Sequence, residues 1–188
     1  MQRLSACVSA QRREQAMRYK HLFGQFCCLK SWTMLQKIIV DSTKVAQNTD
    51  KTPIRYRNFE YNEHGKPFLP DGPFFSISHC KEGIAVATDD EESIGIDIED
   101  IRRVDSDLIA RVMNKEEQNL IASAETPERM FTRLWTQKEA VVKAQGVGIS
   151  SFEQLQEVLV NPSYNLETIE KEKYIYSIAY GKLHCFGS

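Results

Sequence analysis

Apolar residues recur at helical spacing along the first forty positions of the chain. Ser9 is a suitable N-cap, and the apolar stripe after it predicts a helix over residues 10–23, with Ala16, Met17 and residues 19–23 facing the core. A second helix is predicted over residues 25–40. Its buried side chains are expected to be Phe26, Leu29, Leu35 and either Ile38 or Ile39. The polar stretch 41–52, closed by Pro53, predicts a loop.

The middle of the chain has short apolar runs separated by turn residues. The runs that predict strands are residues 74–78, 84–88 and 94–99. Hairpin loops are expected between these strands, at residues 80–83 and 89–92. Turn residues at 63–67 and 70–73 precede the strands. The pattern therefore predicts a largely β middle section after a helical start.

Capping residues mark the helices of the second half. Asn114 begins one helix with Glu117 three positions later, which is the pattern of a capping box. Thr126 and Pro127 begin the most regular helix, which is expected to end at Gly146. The other elements predicted here are a helix over residues 107–113 and strands over residues 155–160, 166–170 and 174–180.

The composition is that of a globular protein with an uneven charge distribution. The 188 residues are 41% hydrophobic and 27% charged, which predicts one domain or two small halves sharing a core. Residues 1–40 carry seven basic residues and one acid, whereas nine acids lie between Asp89 and Asp107. One end is therefore suited to an anion and the middle to a cation. Nucleic-acid binding is disfavoured because the basic segment is short and the rest is acidic.

The five cysteines are scattered and contain no C-x-x-C pair. This pattern disfavours disulfide bonds and a structural zinc site, and favours a reducing, cytoplasmic location. No apolar run approaches the roughly 18 residues that a membrane span requires, so no membrane partner is expected.

Two carboxylates share one face of the predicted strand 94–99. Alternation places its three isoleucines on one face and Gly95, Asp97 and Glu99 on the other. The two carboxylates lie about 7 Å apart, near enough to share a hard cation such as Mg²⁺, and Gly95 leaves space beside them. A solvated sheet face is the alternative, because D-x-E is a common pattern.

The helix that follows Pro127 offers a third carboxylate. Glu139 and Lys143 lie four positions apart, which is also the spacing of an ordinary surface ion pair. If the helix packs opposite Asp97, Glu139 completes an oxygen site with Lys143 beside the phosphates of a ligand. Lys138 lies along the apolar stripe of the same helix.

These two segments together resemble the 4′-phosphopantetheinyl transferase superfamily. They are IGIDIE at residues 94–99 and WTQKEAVVK at residues 135–143, with Glu139 following Asp97 by 42 positions. The segments GKP at 65–67 and FSISH at 75–79 extend the resemblance to residues 9–155, in the longer, pseudo-dimeric Sfp-type layout. A faint similarity between residues 75–79 and 176–180 agrees with two related halves.

The resemblance implies an α+β fold of two similar halves, residues 1–100 and 101–188, related by a pseudo-twofold axis with a coenzyme A cleft between them. It also implies a monomeric, Mg²⁺-dependent enzyme of fatty-acid or secondary-metabolite biosynthesis. Such an enzyme transfers 4′-phosphopantetheine from coenzyme A to a serine of an acyl or peptidyl carrier protein.

The resemblance further assigns roles to individual residues. The Mg²⁺ ligands are expected to be Asp97, Glu99 and Glu139. The catalytic residues are expected to be Glu117, Lys138 and Lys143. Either Glu117 or a water on the metal accepts the serine proton, and Glu117 also fits a helix cap. Coenzyme A is expected to contact Arg12 at its 3′-phosphate, Ser78, His79, Lys138 and Lys143 at its phosphates, and the backbone of Gly65, Lys66 and Pro67 at its adenine.

The chain departs from the family pattern in two places. Cys27 and Cys28 stand where Sfp-type members often have Arg-Thr, which predicts a weaker grip on the 3′-phosphate. The first helix follows almost directly from Met1, where members usually have a strand, so a shortened start or a missing sheet edge is expected. Two alternatives stay open: a non-catalytic module that binds coenzyme A or a carrier, and a metal-dependent phosphohydrolase.

Overall fold

The computed structural model describes residues 2–41, 59–70, 72–149, 151–160 and 164–182. The helices are α1 (Gln2–Ser5), α2 (Ala10–Met17), α3 (Leu22–Asp41), α4 (Ser106–Val112), α5 (Lys115–Ser123), α6 (Pro127–Gln145) and α7 (Phe152–Glu157). The strands are β1 (Glu60–Tyr61), β2 (Pro67–Phe68), β3 (Phe74–His79), β4 (Ile84–Asp89), β5 (Gly95–Asp100), β6 (Tyr164–Glu170) and β7 (Tyr174–Lys182). The predicted α+β class is confirmed, and the pseudo-twofold axis stays a prediction. The predicted loop after Asp41, with Pro53, lies outside the described residues.

The strands form three antiparallel sheets within the described ranges: β1–β2, β3–β4 and β5–β7–β6. The predicted hairpin between β3 and β4 is confirmed. The predicted hairpin at residues 89–92 is wrong, because β5 takes its backbone partner from β7 and not from β4. β5 lies in the predicted first half, residues 1–100, and pairs with β7 of the predicted second half, residues 101–188. The division into these two halves stays a prediction.

The two helices predicted over residues 10–23 and 25–40 correspond to α2 and α3, but they differ from them in extent. Ser9 caps α2 as expected, its hydroxyl accepting a hydrogen bond from the Arg12 amide at 3.3 Å. The helix ends at Met17, however, because the chain turns before α3 packs back against it. Met17 and Leu22 are consequently 75% and 73% exposed, and the predicted stripe is wrong beyond Ala16. In α3 the side chains of Leu29, Leu35 and Ile39 are buried as predicted, whereas Phe26 is exposed.

Three apolar clusters hold the elements together. The first joins α2, α3 and β3 around Trp32, Phe59 and Phe75, whose rings meet edge to face. The second joins the helices α4 to α7, and the third packs α6 on the three-stranded sheet. Helix α6 therefore packs against the face of the sheet that carries Asp97.

The segment predicted as a strand over residues 155–160 begins instead within helix α7. The Ser151 hydroxyl accepts a hydrogen bond from the Gln154 amide at 3.2 Å and so caps the helix. Leu155 is buried against the second cluster. A short apolar run fits a buried helix turn as well as a strand, and here the cap decides between them.

Helix α6 lies unusually close to β5. A Cβ atom at Gly95 would overlap the Ala140 carbonyl oxygen and the Ala144 nitrogen, so only glycine fits there. The expected space beside the carboxylates at Gly95 is thus filled by helix backbone, which corrects that prediction. The helix ends as predicted at Gly146, which has a left-handed φ of 73°.

Two further expectations concern cysteines and membranes. Cys7, Cys27, Cys28 and Cys80 are free thiols, and Cys185 lies outside the described residues. No helix in the described ranges combines the length and apolar character needed to cross a bilayer.

Candidate active site

Asp97 is the centre of a buried polar group formed by three elements. Its Oδ1 atom lies 2.5 Å from Lys143 Nζ on α6, and it accepts a hydrogen bond from Ser78 Oγ on β3 at 2.8 Å. Lys143 Nζ also donates to Ser78 Oγ at 3.0 Å. The second carboxylate oxygen, Oδ2, is buried and has no hydrogen-bond partner among the described residues. One strong acceptor is therefore left for a ligand.

Glu99 and Glu139 are electrostatically coupled to Asp97. Burial raises the pKa of both glutamates, and the Asp97 carboxylate raises each further. Lys143 opposes this rise in both, and in Glu99 the Arg102 guanidinium and a side-chain hydrogen bond from Trp135 oppose it as well. Two cationic side chains thus stand against three carboxylates, which leaves excess negative charge in a partly buried environment.

This donor set fits a hard divalent cation. Mg²⁺ takes oxygen ligands, often one or two carboxylates together with phosphates of a substrate. The unpartnered Asp97 Oδ2 and the repulsion among the three acids both favour such an ion. As placed, however, no three acidic, histidine or cysteine side chains of the described residues form a ready metal-binding cluster. The assignment of Asp97, Glu99 and Glu139 as ligands stays a prediction.

Glu117 and Lys138 pair with each other and not with Asp97. Lys138 is completely buried, and its Nζ lies 2.7 Å from Glu117 Oε1 and donates to the Leu155 carbonyl at 2.6 Å. Burial lowers the pKa of Lys138, while Glu117 and Glu157 oppose that shift. The predicted capping box is confirmed, because Glu117 Oε2 accepts a hydrogen bond from the Asn114 amide at 2.8 Å. This placement favours a structural role for the pair over the catalytic roles implied by the resemblance.

Ser78 and His79 stand at the end of β3 beside Lys143. The Ser78 hydroxyl is already engaged by Asp97 and Lys143. Partial burial and the Lys143 ammonium lower the pKa of His79, so its ring is held towards the neutral form. Phosphate contacts by these two residues remain predictions.

A cavity of about 360 Å³ lies between α6 and the β1–β2 hairpin, whose turn contains residues 62–66. Gly65, Lys66 and Pro67 line one side of it, and Glu139 and Lys143 line another. Two segments that the sequence links only through the family resemblance therefore meet around one space. The cavity is large enough to admit part of a nucleotide-sized ligand.

Arg12 lies outside the set of residues that line this cavity. Its guanidinium stacks 4.2 Å from the Trp32 ring centre and donates to the Cys28 carbonyl at 3.2 Å and to Gln15 Oε1 at 2.6 Å. Cys27 and Cys28 are both buried on α3, and Cys28 belongs to the first apolar cluster. These internal contacts would compete with a 3′-phosphate for the Arg12 guanidinium. Contact between Arg12 and the 3′-phosphate stays a prediction.

Three polar residues around the site were not predicted from the sequence. Asn62 contacts the end of α6, Ser93 contacts the same helix end, and Ser76 Oγ accepts a hydrogen bond from the Ile96 amide at 3.0 Å. Asn62 stands in a turn before a glycine, which is a signal for local backbone hydrogen bonding. The serines carry no pattern that would distinguish them from other strand residues.

Comparison with known proteins identifies relatives over most of the chain. Residues 93–182 match the sequence model of the 4′-phosphopantetheinyl transferase superfamily. The chain is 30% identical over 152 residues to the 4′-phosphopantetheinyl transferase ffp of Bacillus subtilis, an alignment covering 79% of this chain and 64% of that protein. It is 29% identical over 153 residues to the 4′-phosphopantetheinyl transferase Sfp of Bacillus subtilis strain 168, covering 79% and 65%. It is 39% identical over 92 residues to the 4′-phosphopantetheinyl transferase AcpT of Salmonella typhi, covering 46% and 48%. The chain thus spans slightly less than two thirds of the length of the two Bacillus proteins.

Proposed function

The chain belongs to the 4′-phosphopantetheinyl transferase superfamily, and from this premise we propose that it transfers 4′-phosphopantetheine from coenzyme A to a serine of an acyl or peptidyl carrier protein. One observation carries the proposal. Lys143 of the α6 motif lies 2.5 Å from Asp97 of the β5 motif, beside a cavity that the GKP turn also lines. The names of the relatives support the same activity.

The reaction is a phosphoryl transfer. The serine oxygen of the carrier attacks the β-phosphorus of coenzyme A, and the bond from that phosphorus to the bridging oxygen breaks. The products are the phosphopantetheinyl serine and 3′,5′-adenosine diphosphate, and the serine proton is released to solvent. Such reactions depend mainly on positioning and charge neutralisation, which buried cations supply well.

The residues that divide these tasks are Asp97 and its neighbours Ser78, Glu99, Glu139 and Lys143, which we call the Asp97 group. Asp97, Glu99 and Glu139 would hold Mg²⁺, which when bound supplies charge neutralisation for the pyrophosphate. Lys143, held by Asp97 and Ser78, offers a positive charge at the edge of the same cavity. The hairpin backbone at residues 65–67 would receive the nucleotide end of coenzyme A.

The proposal is tested by incubating the protein with coenzyme A, Mg²⁺ and an apo carrier protein, and weighing the carrier by mass spectrometry. We expect the carrier to gain one phosphopantetheine. Asp97→Asn should lower the rate by roughly two or more orders of magnitude, since it weakens both the cation site and the hold on Lys143. Glu167→Gln is the matched control, because Glu167 is an exposed acid on β6 of the same sheet.

The same assay separates the rival functions. Phosphate released from coenzyme A without a change in the carrier would indicate a phosphohydrolase. Binding of coenzyme A without either product would indicate a non-catalytic module. Full transfer by the Asp97→Asn protein would contradict the role assigned to the carboxylates.

The remaining expectations follow from the same proposal. Coenzyme A and the carrier are the proposed partners, with Mg²⁺ as the proposed cofactor. The protein would act in the cytoplasm, where both substrates occur, and as a monomer. Sedimentation velocity with and without coenzyme A measures the oligomeric state directly.

A further inference from the structure

The carbonyl groups at the end of α6 are bound by side chains from distant parts of the chain. A helix leaves its last carbonyl groups without intrahelical partners. Asn62 Nδ2 donates to the Gly146 carbonyl at 2.8 Å, and Lys66 Nζ lies 3.4 Å from the Ala144 carbonyl. Ser93 Oγ donates to the same Ala144 oxygen. We call Asn62, Lys66 and Ser93 the α6 clamp.

The clamp also shapes the hairpin that borders the cavity. Asn62 Oδ1 accepts hydrogen bonds from the amides of His64 at 3.0 Å and Lys66 at 2.8 Å. Asn62 therefore both stabilises the turn between β1 and β2 and binds the end of α6. Lys66 Nζ further reaches Ser93 Oγ and the Ile94 carbonyl, each at 3.4 Å, directly before β5 begins. Burial lowers the pKa of Lys66, in agreement with its position among these groups.

Ala144 is held from two sides. The glycine at position 95 lets β5 approach the Ala144 nitrogen, and the clamp binds the Ala144 oxygen. Ala144 directly follows Lys143, whose ammonium group contacts Asp97. A shift of α6 along its axis would break the clamp and move Lys143 and Glu139 relative to Asp97.

We propose that Asn62, Lys66 and Ser93 are positioning residues that hold Lys143 and Glu139 in register with Asp97 during the transfer step. This inference rests on the proposed function. It also gives the side chain of Lys66 a role distinct from the backbone contacts expected of the GKP turn. None of the three side chains needs to touch the reacting phosphorus, because each acts through α6.

The test compares Asn62→Asp and Ser93→Ala with the wild type. Asn62→Asp keeps the acceptor that shapes the hairpin but replaces the donor to Gly146 by a carboxylate oxygen. We expect kcat for carrier modification to fall roughly 10- to 100-fold, since small displacements of catalytic groups have effects of that size. Ser93→Thr retains the hydroxyl and should restore at least half of the rate lost in Ser93→Ala.

Asn165→Asp is the matched control. Asn165 Nδ2 likewise donates to a carbonyl group, that of Gly181 at 3.2 Å, but this carbonyl belongs to β7 and not to α6. Its kcat should stay within twofold of the wild type. The Michaelis constant for the carrier should be unchanged in every variant, because the clamp acts on the transfer step.

Hydrogen exchange supplies a readout independent of activity. In Asn62→Asp, amides of residues 142–146 should exchange at least 10-fold faster, while residues 131–138 exchange as in the wild type. If kcat and this exchange both stay at wild-type values, the clamp is not a positioning device. If the melting temperature falls but kcat at 25 °C is unchanged, the contacts are only structural and the proposal is wrong. If the wild type itself modifies no carrier, the proposed function fails, whereas the exchange comparison still tests the clamp.

Discussion

Two lysines of α6 form buried or partly buried ion pairs with carboxylates, and their surroundings differ sharply. The Lys143 side chain is 29% exposed and faces a cavity, so its charge is available to a ligand. Lys138 is 0% exposed and is enclosed by Glu117 and the Leu155 carbonyl. We therefore expect the first pair to act in the proposed transfer, whereas the second pair joins α6 to α5 and α7 through the core.

Replacing Lys138 by methionine tests this distinction. The change leaves the Glu117 carboxylate buried without its counter-charge, which should lower the free energy of unfolding by about 3–5 kcal/mol. The double variant Glu117→Gln with Lys138→Met should recover much of that loss, because no uncompensated charge remains. Urea denaturation of the two variants measures both quantities.

Activity measurements on the same proteins complete the comparison. At a temperature where both are folded, kcat of the double variant should stay within roughly tenfold of the wild type, in contrast to Asp97→Asn. A stable Glu117→Gln, Lys138→Met protein with no transfer activity would restore the catalytic roles that the family resemblance implies.

At the scale of elements, the contact between α6 and β5 determines the site. The two elements carry Asp97, Glu99, Glu139 and Lys143, and they approach closely because position 95 has no side chain. The alternating pattern of β5 was sufficient to predict which side chains share a face. The pattern gave no information on which element would cover that face. The prediction of free space beside Gly95 was therefore wrong.

Gly95→Ala should therefore be strongly destabilising. The added methyl group meets helix backbone, which has no rotamer that would relieve the overlap, so we expect a loss of roughly 3 kcal/mol or more in unfolding free energy. Gly83→Ala is the control, because a Cβ there meets the end of a flexible side chain, Ile98 Cδ1, at 3.2 Å. Chemical denaturation of both proteins gives the difference, and equal stabilities would contradict the close approach.

Elements with explicit end signals were predictable from the sequence. Ser9, Asn114 and Pro127 each mark a helix start that the structure confirms, and Gly146 marks a helix end. Helix α7 was not predictable in the same way, since six residues are too few to reveal a periodicity. The partners of β5 were also beyond local reasoning, because β7 follows it by more than seventy positions.

At the scale of the whole molecule, the charge distribution and the cavity are related. Asp97 and Glu99 are the two members of the acidic middle that take part in the Asp97 group. Several other acids there bind nearby backbone, as Asp100 does with the amides of Lys81 and Glu82 and Asp89 with those of Glu91 and Glu92. The net charge of −2 therefore conceals a local site and a set of turn contacts. The motif spacing identified that site, whereas total charge could not.

Ligand binding at the cavity should stabilise the entire fold. Coenzyme A at a hundred times its dissociation constant adds about 2.7 kcal/mol, which corresponds to a rise of roughly 5–10 °C in melting temperature. Removing divalent cations with EDTA should reduce this rise, and added Mg²⁺ should restore it. Differential scanning fluorimetry measures both effects. An unchanged melting temperature at millimolar coenzyme A would contradict binding at this cavity.

The hydrogen bond from the Ile96 amide to Ser76 Oγ has a consequence for protein engineering. β5 is an edge strand of its own sheet and contacts β3 without sharing a backbone ladder with it. A hydroxyl group thus takes the place of a strand partner at the joint between the two sheets. The spacing between β3 and β5 is therefore set by side-chain contacts and not by the register of a shared backbone ladder. A designer who alters Ser76 therefore changes the contact between β3 and β5 at Ile96 without interrupting the backbone pairing of either sheet.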